Sequence, residues 1–598
     1  MSLSGAAVRP SRASLAASAA AAEPLIARGD GRRGAALLVV LVVIVIVSLA
    51  AYGFTFHMRG EYQASSLMQE RAQARLTALS GIEQSLALLE LPAWQRAELG
   101  LWGDQPTLYQ GIGLSDEAGD DALRQPDLED LQWRFSVVSP RSQLPTRNRS
   151  TRTEESGLGF GLENESGKLH IPTLLVWERQ NRGSIGRVLG SLPGADPELI
   201  ESWLKSIDPT LSLRPQSDRS EVSEAWGDPS ADPSDPYGQR RQTMQEGYSR
   251  QWQTRWWSLW SGGDWNQNFE IDPLEQLIAA AGNPGGTGYR TAGGAVGSAA
   301  GLAASGMSLD GSGTTDQAEA ILGWQRFLTY HSGQRNVDWQ GRSRVHLNQP
   351  DLAELRRELS AIWPTAWVNF TIAYRQFGPG IAWTTRGGPP GAAAAASNPA
   401  PLNLIAPPQV TLVSPLDLVA KTLLIPTPSG TPFVVESPFS DDPAQAGNYL
   451  ERLLDQVSVT DSPSLVGRID INAAPTEVLA AIPQMSASAV ERLVNTRQAG
   501  SQSVLPKVRS VAWLVTERIM SLEQLRQVEP WLCSRSDVYR AQFVGFRDDR
   551  TPLYRCRVLL DGRTLPARYL DFQDFQGWDR GFETWQLRGT DSLTSGVP

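Results

Sequence analysis

The chain has 598 residues, several times an ordinary domain, so roughly two to four domains are expected. With 41% apolar residues, 20% charged residues and 20 tryptophans it has the composition of a protein that buries cores, which excludes a disordered chain. A formal net charge of -10 argues against a nucleic-acid binder that works by neutralising phosphates, and only two cysteines exclude a disulfide scaffold or a cysteine-rich zinc module.

From Ala35 to Phe56 the sequence reads AALLVVLVVIVIVSLAAYGFTF, without a charge. At about 1.5 Å per residue this run crosses a hydrocarbon core of roughly 30 Å. Arg28, Arg32 and Arg33 lie just before it, so the positive-inside rule leaves the N-terminus in the cytoplasm and translocates everything after about His57. Beyond the run, Leu76, Leu79, Ile82, Leu86 and Leu89 recur at spacings of three and four, which marks one face of a helix. Pro92 is the first firm stop. The pattern predicts one continuous helix from Ala35 to about Leu91, about 85 Å long, its first half in lipid and its second half packed on a domain.

A secretory signal peptide has a shorter apolar core followed by small residues at the cut; here Ser48-Leu49-Ala50 is buried inside the run. A plain signal anchor fits the apolarity equally well. What separates a third reading is Arg32-Arg33-Gly34, placed directly before the apolar stretch. A glycine closing a basic leader and opening a long helix resembles the processing site of type IV prepilins and type II secretion pseudopilins. The resemblance implies cutting by a prepilin peptidase after Gly34, with Ala35 as the mature N-terminus. Pilins usually carry Glu at the fifth mature position, which here is Val39. A carboxylate at that depth is costly in lipid unless it meets a cation, in the family a neighbouring subunit's N-terminal amine. A chain lacking it is similar to the general secretion pathway protein K family, the minor pseudopilins placed at the pseudopilus tip.

Next in chain order, 131–138 alternates weakly and ends at Pro140, predicting a strand, and a polar loop is expected from Ser139 to Gly161. Three related phrases follow. Ser166-Gly-Lys-Leu-His-Ile-Pro-Thr-Leu-Leu175 reads as a turn feeding a short strand. Gly341-Arg-Ser-Arg-Val-His-Leu-Asn348 and Gly467-Arg-Ile-Asp-Ile-Asn472 repeat its glycine, its basic neighbour and its alternation, each leading into a helix. Asn348 and Asn472 are expected as helix N-caps, with Pro350 and Pro475 near the helix starts; Pro172 replaces the Asn in the first copy. Helix–turn–helix patterns over 192–204 and 482–497 resemble helix-hairpin-helix modules, and also the small helical domains of the K pseudopilin family. Residues 214–250 and 282–315 have linker-like compositions and flank a segment with Trp252, Trp256, Trp257, Trp260 and Trp265. Strong alternation over Val538–Phe546 and Leu553–Leu560, around Asp548-Asp549-Arg550, predicts a hairpin that completes a sheet packed on the long helix.

The expected division is a leader over 1–34, the membrane and extended helix over 35–91, pilin-like strands over 92–180 and a first helical module over 181–213. An insertion over 214–316, a second strand–helix unit over 317–377, a linker over 378–408, a third unit over 409–535 and a C-terminal hairpin region over 536–598 complete it.

Few groups converge for catalysis. The histidines His57, His170, His331 and His346 lack zinc-protease spacing, and His170 and His346 hold equivalent places in two repeats, which favours strand packing. Gly161 to Lys168 mimics a phosphate-binding loop, but the glycine spacing is wrong and Leu169 stands where a magnesium-binding hydroxyl belongs. Turns without glycine at Gln484-Met485-Ser486, and Asp196 in the first module, argue against DNA binding. Cys533 and Cys556 permit one disulfide in an oxidising compartment, or two separate buried thiols. Calcium is a candidate ligand by family resemblance, through Glu163/Glu165, Asp228/Asp232/Asp235 or Asp548/Asp549, although none has EF-hand spacing.

The fold class expected is α+β: a long N-terminal transmembrane helix packed on an antiparallel, pilin-like sheet, with inserted small helical domains of helix-hairpin-helix or SAM-like type. The family resemblance implies a non-enzymatic tip subunit of a type II secretion system, anchored once in the inner membrane with its bulk in the periplasm. Its partners would be minor pseudopilins of the I and J types, the inner-membrane secretion platform and the prepilin peptidase. The alternative from another class is a single-pass binding protein that uses its helical modules on a ligand or DNA.

Overall fold

The computed structural model describes residues 32–101, 104–114, 132–140, 158–195, 197–207, 323–379, 402–425, 433–499, 507, 509–547, 554–575 and 581–588. The leader before Arg32, the tryptophan-rich insertion, most of the 378–408 linker and the Asp548–Arg550 turn lie outside the described residues. The chain divides into two units, Met1–Glu70 and Arg71–Pro598.

In the first unit the described chain is helical throughout. It belongs to α1, which runs without interruption from Arg32 to Glu90 and so starts three positions earlier than the apolar run. The side chains from Leu37 to Val47 are all exposed, and the helix is long and apolar enough to cross a membrane.

The second unit begins inside α1, whose last five turns supply one wall of a core. Ala74, Ala78, Ile82, Leu86 and Leu89 are buried there, four or three residues apart. Leu79 is only partly buried and Leu76 is 58% exposed, so the buried face begins on alanines and not on the expected leucines. Close approach explains the substitution. At Gly545 a Cβ would lie 2.0 Å from the Ala74 carbonyl oxygen, so helix and strand meet backbone to backbone and no leucine fits between them.

The other wall is a seven-stranded sheet in which every pairing is antiparallel. Its main path runs Ile112–Gly113, Trp133–Pro140, Val538–Arg547, Tyr554–Asp561, Arg568–Asp574. Leu158–Phe160 adds to Trp133–Pro140, within the stretch expected to be loop, and Glu163–Asn164 adds to Val538–Arg547. The central strand comes from the C-terminal hairpin, with Gln542 opposite both Val138 and Arg557. Early and late segments of the chain therefore build a single sheet, packed on α1 as the alternating patterns predict.

The repeated phrases form three small units on one shared plan. In each, a two-residue strand leads into helices, and a second two-residue strand returns parallel beside it. Leu169–His170 pairs with Leu328–Thr329, Val345–His346 with Val457–Ser458, and Ile469–Asp470 with Leu532–Cys533. The first phrase enters its helix sooner than expected: Ile171–Gln180 is helical, with Pro172 in the first turn, where its missing N–H costs nothing. Helices Ser184–Gly190 and Pro197–Ile207 follow in the first unit, and Thr476–Ala480 and Ala487–Ala499 in the third, as the helix–turn–helix patterns predict. The three units share one large apolar core, separate from the core under the sheet.

Candidate functional site

Gly34 and Ala35 lie within the helical backbone of α1, and Val39 is 59% exposed on its surface. The residues of the expected processing site thus already belong to the helix whose apolar run follows them.

At the other end of α1 the last carbonyls have no intrahelical donor, and the final turn carries no basic residue of its own. Arg335 provides both donor and charge. Its Nη2 donates to the carbonyls of Leu89 at 3.3 Å and Leu91 at 3.2 Å. Arg335 is itself held by Asp537, whose Oδ2 accepts from the Arg335 backbone N–H at 2.6 Å. The same carboxylate takes Nη2 of Arg96 on Oδ1 at 2.6 Å. Arg96 lies in α2 (Ala93–Glu98), just beyond Pro92. Burial by itself would raise the Asp537 pKa, but Arg96 and then Arg335 outweigh it and hold the carboxyl below its ordinary value.

The whole segment Ser534–Asp537 is buried. Arg535 packs against Trp339, donates to the Val337 carbonyl at 2.7 Å and pairs with Asp455 at 3.6 Å. Ser536 Oγ meets Ser166 Oγ at 2.8 Å. Elements of all three repeats and the sheet therefore converge on residues expected to form a boundary at 535/536. The sequence gives little sign of this: Arg535 and Asp537 lie between Trp531-Leu532-Cys533 and the alternating Val538–Phe546, where a charge is buried only if paired.

A second buried charge cluster surrounds Glu165, which is fully buried. Lys168 donates to it at 2.7 Å and Arg540 at 3.0 Å, and Thr329 Oγ1 is a further donor. Burial works against its charge, but Arg540 and Lys168 bring its pKa down to about 2. Glu163 also pairs with Lys168, at 2.9 Å. The Glu163/Glu165 pair considered for calcium is thus committed to cations of the chain itself, and the lysine of the phosphate-loop mimic is spent on carboxylates. Beside this cluster Val138, Glu163, Lys168, Arg326, Arg540 and Arg557 line a cavity of about 30 Å³, room for a water or two but not for a metabolite. Among the described residues no group of three or more His, Cys, Asp or Glu side chains is placed to hold a metal ion. The other two acidic clusters lie outside the described residues.

Asn348 and Asn472 are not N-caps. Asp351 caps the helix Leu352–Ser360, accepting from the N–H groups of Ala353 and Glu354, and Pro475 precedes Thr476–Ala480 without a side-chain cap. Each helix begins further along than the Asn side chain reaches. The asparagines instead staple the paired strands of their units. Asn348 donates to the carbonyl of Val459 at 2.9 Å, and Asn472 to that of Ser534 at 2.9 Å, in each case the residue just past the returning strand. In the first unit, with Pro172 at this place, His170 Nε2 meets the carbonyl of Tyr330 at 3.0 Å, again just past the returning strand. His346 makes the equivalent contact with Val459 at 3.2 Å, as packing residues in matching repeats would. Burial lowers the His170 pKa to about 4.

The third repeat has Asp470 where the others have His. It is buried, and accepts from Asn164 at 2.7 Å and from the Asn472 backbone at 2.9 Å. These donors favour its charge, yet burial dominates and raises its pKa to about 6. The disulfide allowed by the sequence does not form: Cys533 and Cys556 are both free and buried. Cys533 lies in the returning strand of the third repeat and Cys556 in the sheet, where burial pushes its pKa up to about 12.

No family model matches the chain, and neither the curated proteins nor the solved structures contain a match to it.

Proposed function

We propose that this chain is a membrane-anchored assembly subunit without catalytic activity, acting as a minor pseudopilin at the tip of a type II secretion pseudopilus. The observation that carries this reading is α1 itself. One helix of 59 residues joins an exposed apolar half to a half whose small residues pack on an antiparallel sheet. A plain anchor needs only the span. A helix that also forms the spine of the outer domain fits a subunit whose membrane segment leaves the bilayer and packs among other helices.

Val39 supports the tip position, since a subunit without a carboxylate there offers no partner to the amine of a further subunit. On this reading the span lies in the inner membrane and the second unit in the periplasm. Its partners are the I- and J-type minor pseudopilins and the secretion platform, and the prepilin peptidase removes residues 1–34. The buried ion clusters are structural: each charged group at Asp537 and Glu165 faces a partner in the chain.

Secretion in a strain lacking this chain tests the proposal. Loss of type II export, restored by the wild-type chain and not by Gly34→Ala, is the expected result. Unimpaired export in the deletion strain, or full rescue by a variant that is not processed, would overturn it.

A further inference from the structure

Between its apolar run and the core under the sheet, α1 crosses a stretch that is exposed all round. Among the residues from His57 to Gln73 none is buried, and only Ser66 and Glu70 are half-buried. Burial starts at Ala74, where the helix meets Gly545, and the division between the two units falls inside the stretch, after Glu70. At about 1.5 Å per residue this neck is about 26 Å long.

Packing separates the neck from the rest of the helix more than sequence does. Each part of α1 beyond the apolar run carries a glycine, Gly60 in the neck and Gly81 against the sheet. A Cβ at Gly81 would lie 2.7 Å from the Phe135 ring, so the sheet holds the helix there. Ser85 is buried beside it and donates to the Gly81 carbonyl at 2.9 Å. A Cβ at Gly60 would have nothing within 4 Å. Glycine is the weakest helix former after proline, and Ser65-Ser66 soon after it adds two more residues of modest propensity. The exposed His57–Glu61 pair at 3.8 Å adds little support. Most helical stability in proteins comes from a packed face, and a bare helix is marginal in water. The neck has folded helix on both sides and so needs no nucleus, but opening a turn of it breaks only local hydrogen bonds and no core.

We infer that the neck from His57 to Gln73 is the compliant joint of α1, opening locally around Gly60 while the core under the sheet stays closed. The packed half of the helix, from Ala74 to Leu89, is fixed to the sheet and opens only with it. Bending of α1 is thereby confined to the one place outside the apolar run where no buried contact has to be broken. The joint stands on exposure and propensity; only the use of its compliance during assembly rests on the function proposed above.

The test is hydrogen exchange read by mass spectrometry, on the full chain with one copy per lipid nanodisc. Amides of residues 57–73 are expected to exchange at least about 100-fold faster than those of residues 76–90. Gly60→Ala should slow exchange in the neck by about fivefold and leave the melting temperature of the second unit unchanged. Gly60→Pro breaks the helix inside the neck and should likewise leave that melting temperature unchanged. Exchange in the neck as slow as in residues 76–90, no slowing in Gly60→Ala, or a second unit that melts lower in Gly60→Pro would overturn the inference. Neither processing nor secretion enters these readouts, so their failure is distinct from failure of the function proposed.

Discussion

Arg96 and Asp537 stand 441 positions apart and meet through a charge-assisted hydrogen bond of 2.6 Å, with side chains only 2% and 3% exposed. A buried pair at that separation ties the helix just after α1 to the segment before the last sheet strands, with the three repeats lying between them in the sequence. The central strand begins at Val538, so the residue that receives Arg96 directly precedes the strand that completes the sheet.

Removing Arg96 takes from the buried Asp537 the nearer of the two cations that hold its charge. Arg96→Met is expected to destabilise the second unit by about 3–5 kcal/mol in denaturant titration. The Arg96→Met/Asp537→Asn double variant should lose less than the sum of the two single changes. The pH dependence has a definite sign. The folded pKa of Asp537 is depressed, so its stabilisation is present above its ordinary pKa and is lost as pH falls through the lowered value. Thermal melting below about pH 4 should show a shallower acid limb in Asp537→Asn than in the wild type, the remainder coming from Glu165. Equal melting curves at low pH would contradict the assignment.

Asp470 has the opposite sign. Its folded pKa is raised to about 6, so the neutral form is favoured and the folded state gains protons relative to the unfolded chain. The stability it provides is present at low pH and disappears as pH rises through about 6. Asp470→Asn keeps an acceptor for Asn164 and Asn472 and cannot ionise. Its melting temperature should therefore fall less than that of the wild type between about pH 4 and pH 7. A parallel dependence in both proteins would show that the carboxylate is charged in place.

Glycines separate contact from propensity. Gly545→Ala puts a methyl onto the Ala74 carbonyl, where only backbone could give way, and should cost about 1–3 kcal/mol or more and loosen α1 from the sheet. Gly447, in the middle of the helix Pro443–Gln456, has nothing within 4 Å of a new Cβ. Gly447→Ala should stabilise by about 0.5–1 kcal/mol. Chemical denaturation of both variants checks the contrast; a neutral Gly545→Ala would refute the backbone contact.

The thiols give a simple count. Cys533 and Cys556 are expected to stay unreactive towards a thiol reagent in the native protein and to react fully in denaturant without reductant. Half or less of that reactivity in unreduced, denatured protein would reveal a bridge.

Much of this architecture was legible because it rests on periodicity. The apolar run and the Ile82, Leu86, Leu89 spacing predict α1, and alternation around 538–560 predicts the hairpin. The repeats were visible in Gly-Lys/Arg phrases, although the role of their asparagines was misread. An Asn before a helix looks like a cap in sequence, and only the returning strands, which come well over fifty positions later, reveal it as a staple. The burial of alanines at 74 and 78 was hidden for a similar reason, since the glycine that requires them is Gly545. Nothing local marks Arg96, Arg335 and Asp537 as one cluster; their meeting is a property of the closed chain.

If the apolar helix becomes a mature N-terminus inside an assembly, the mass of that terminus in protein purified from membranes is that of a chain starting at Ala35, and Gly34→Ala blocks its appearance. An intact leader, or a cut after Ala50, would contradict it.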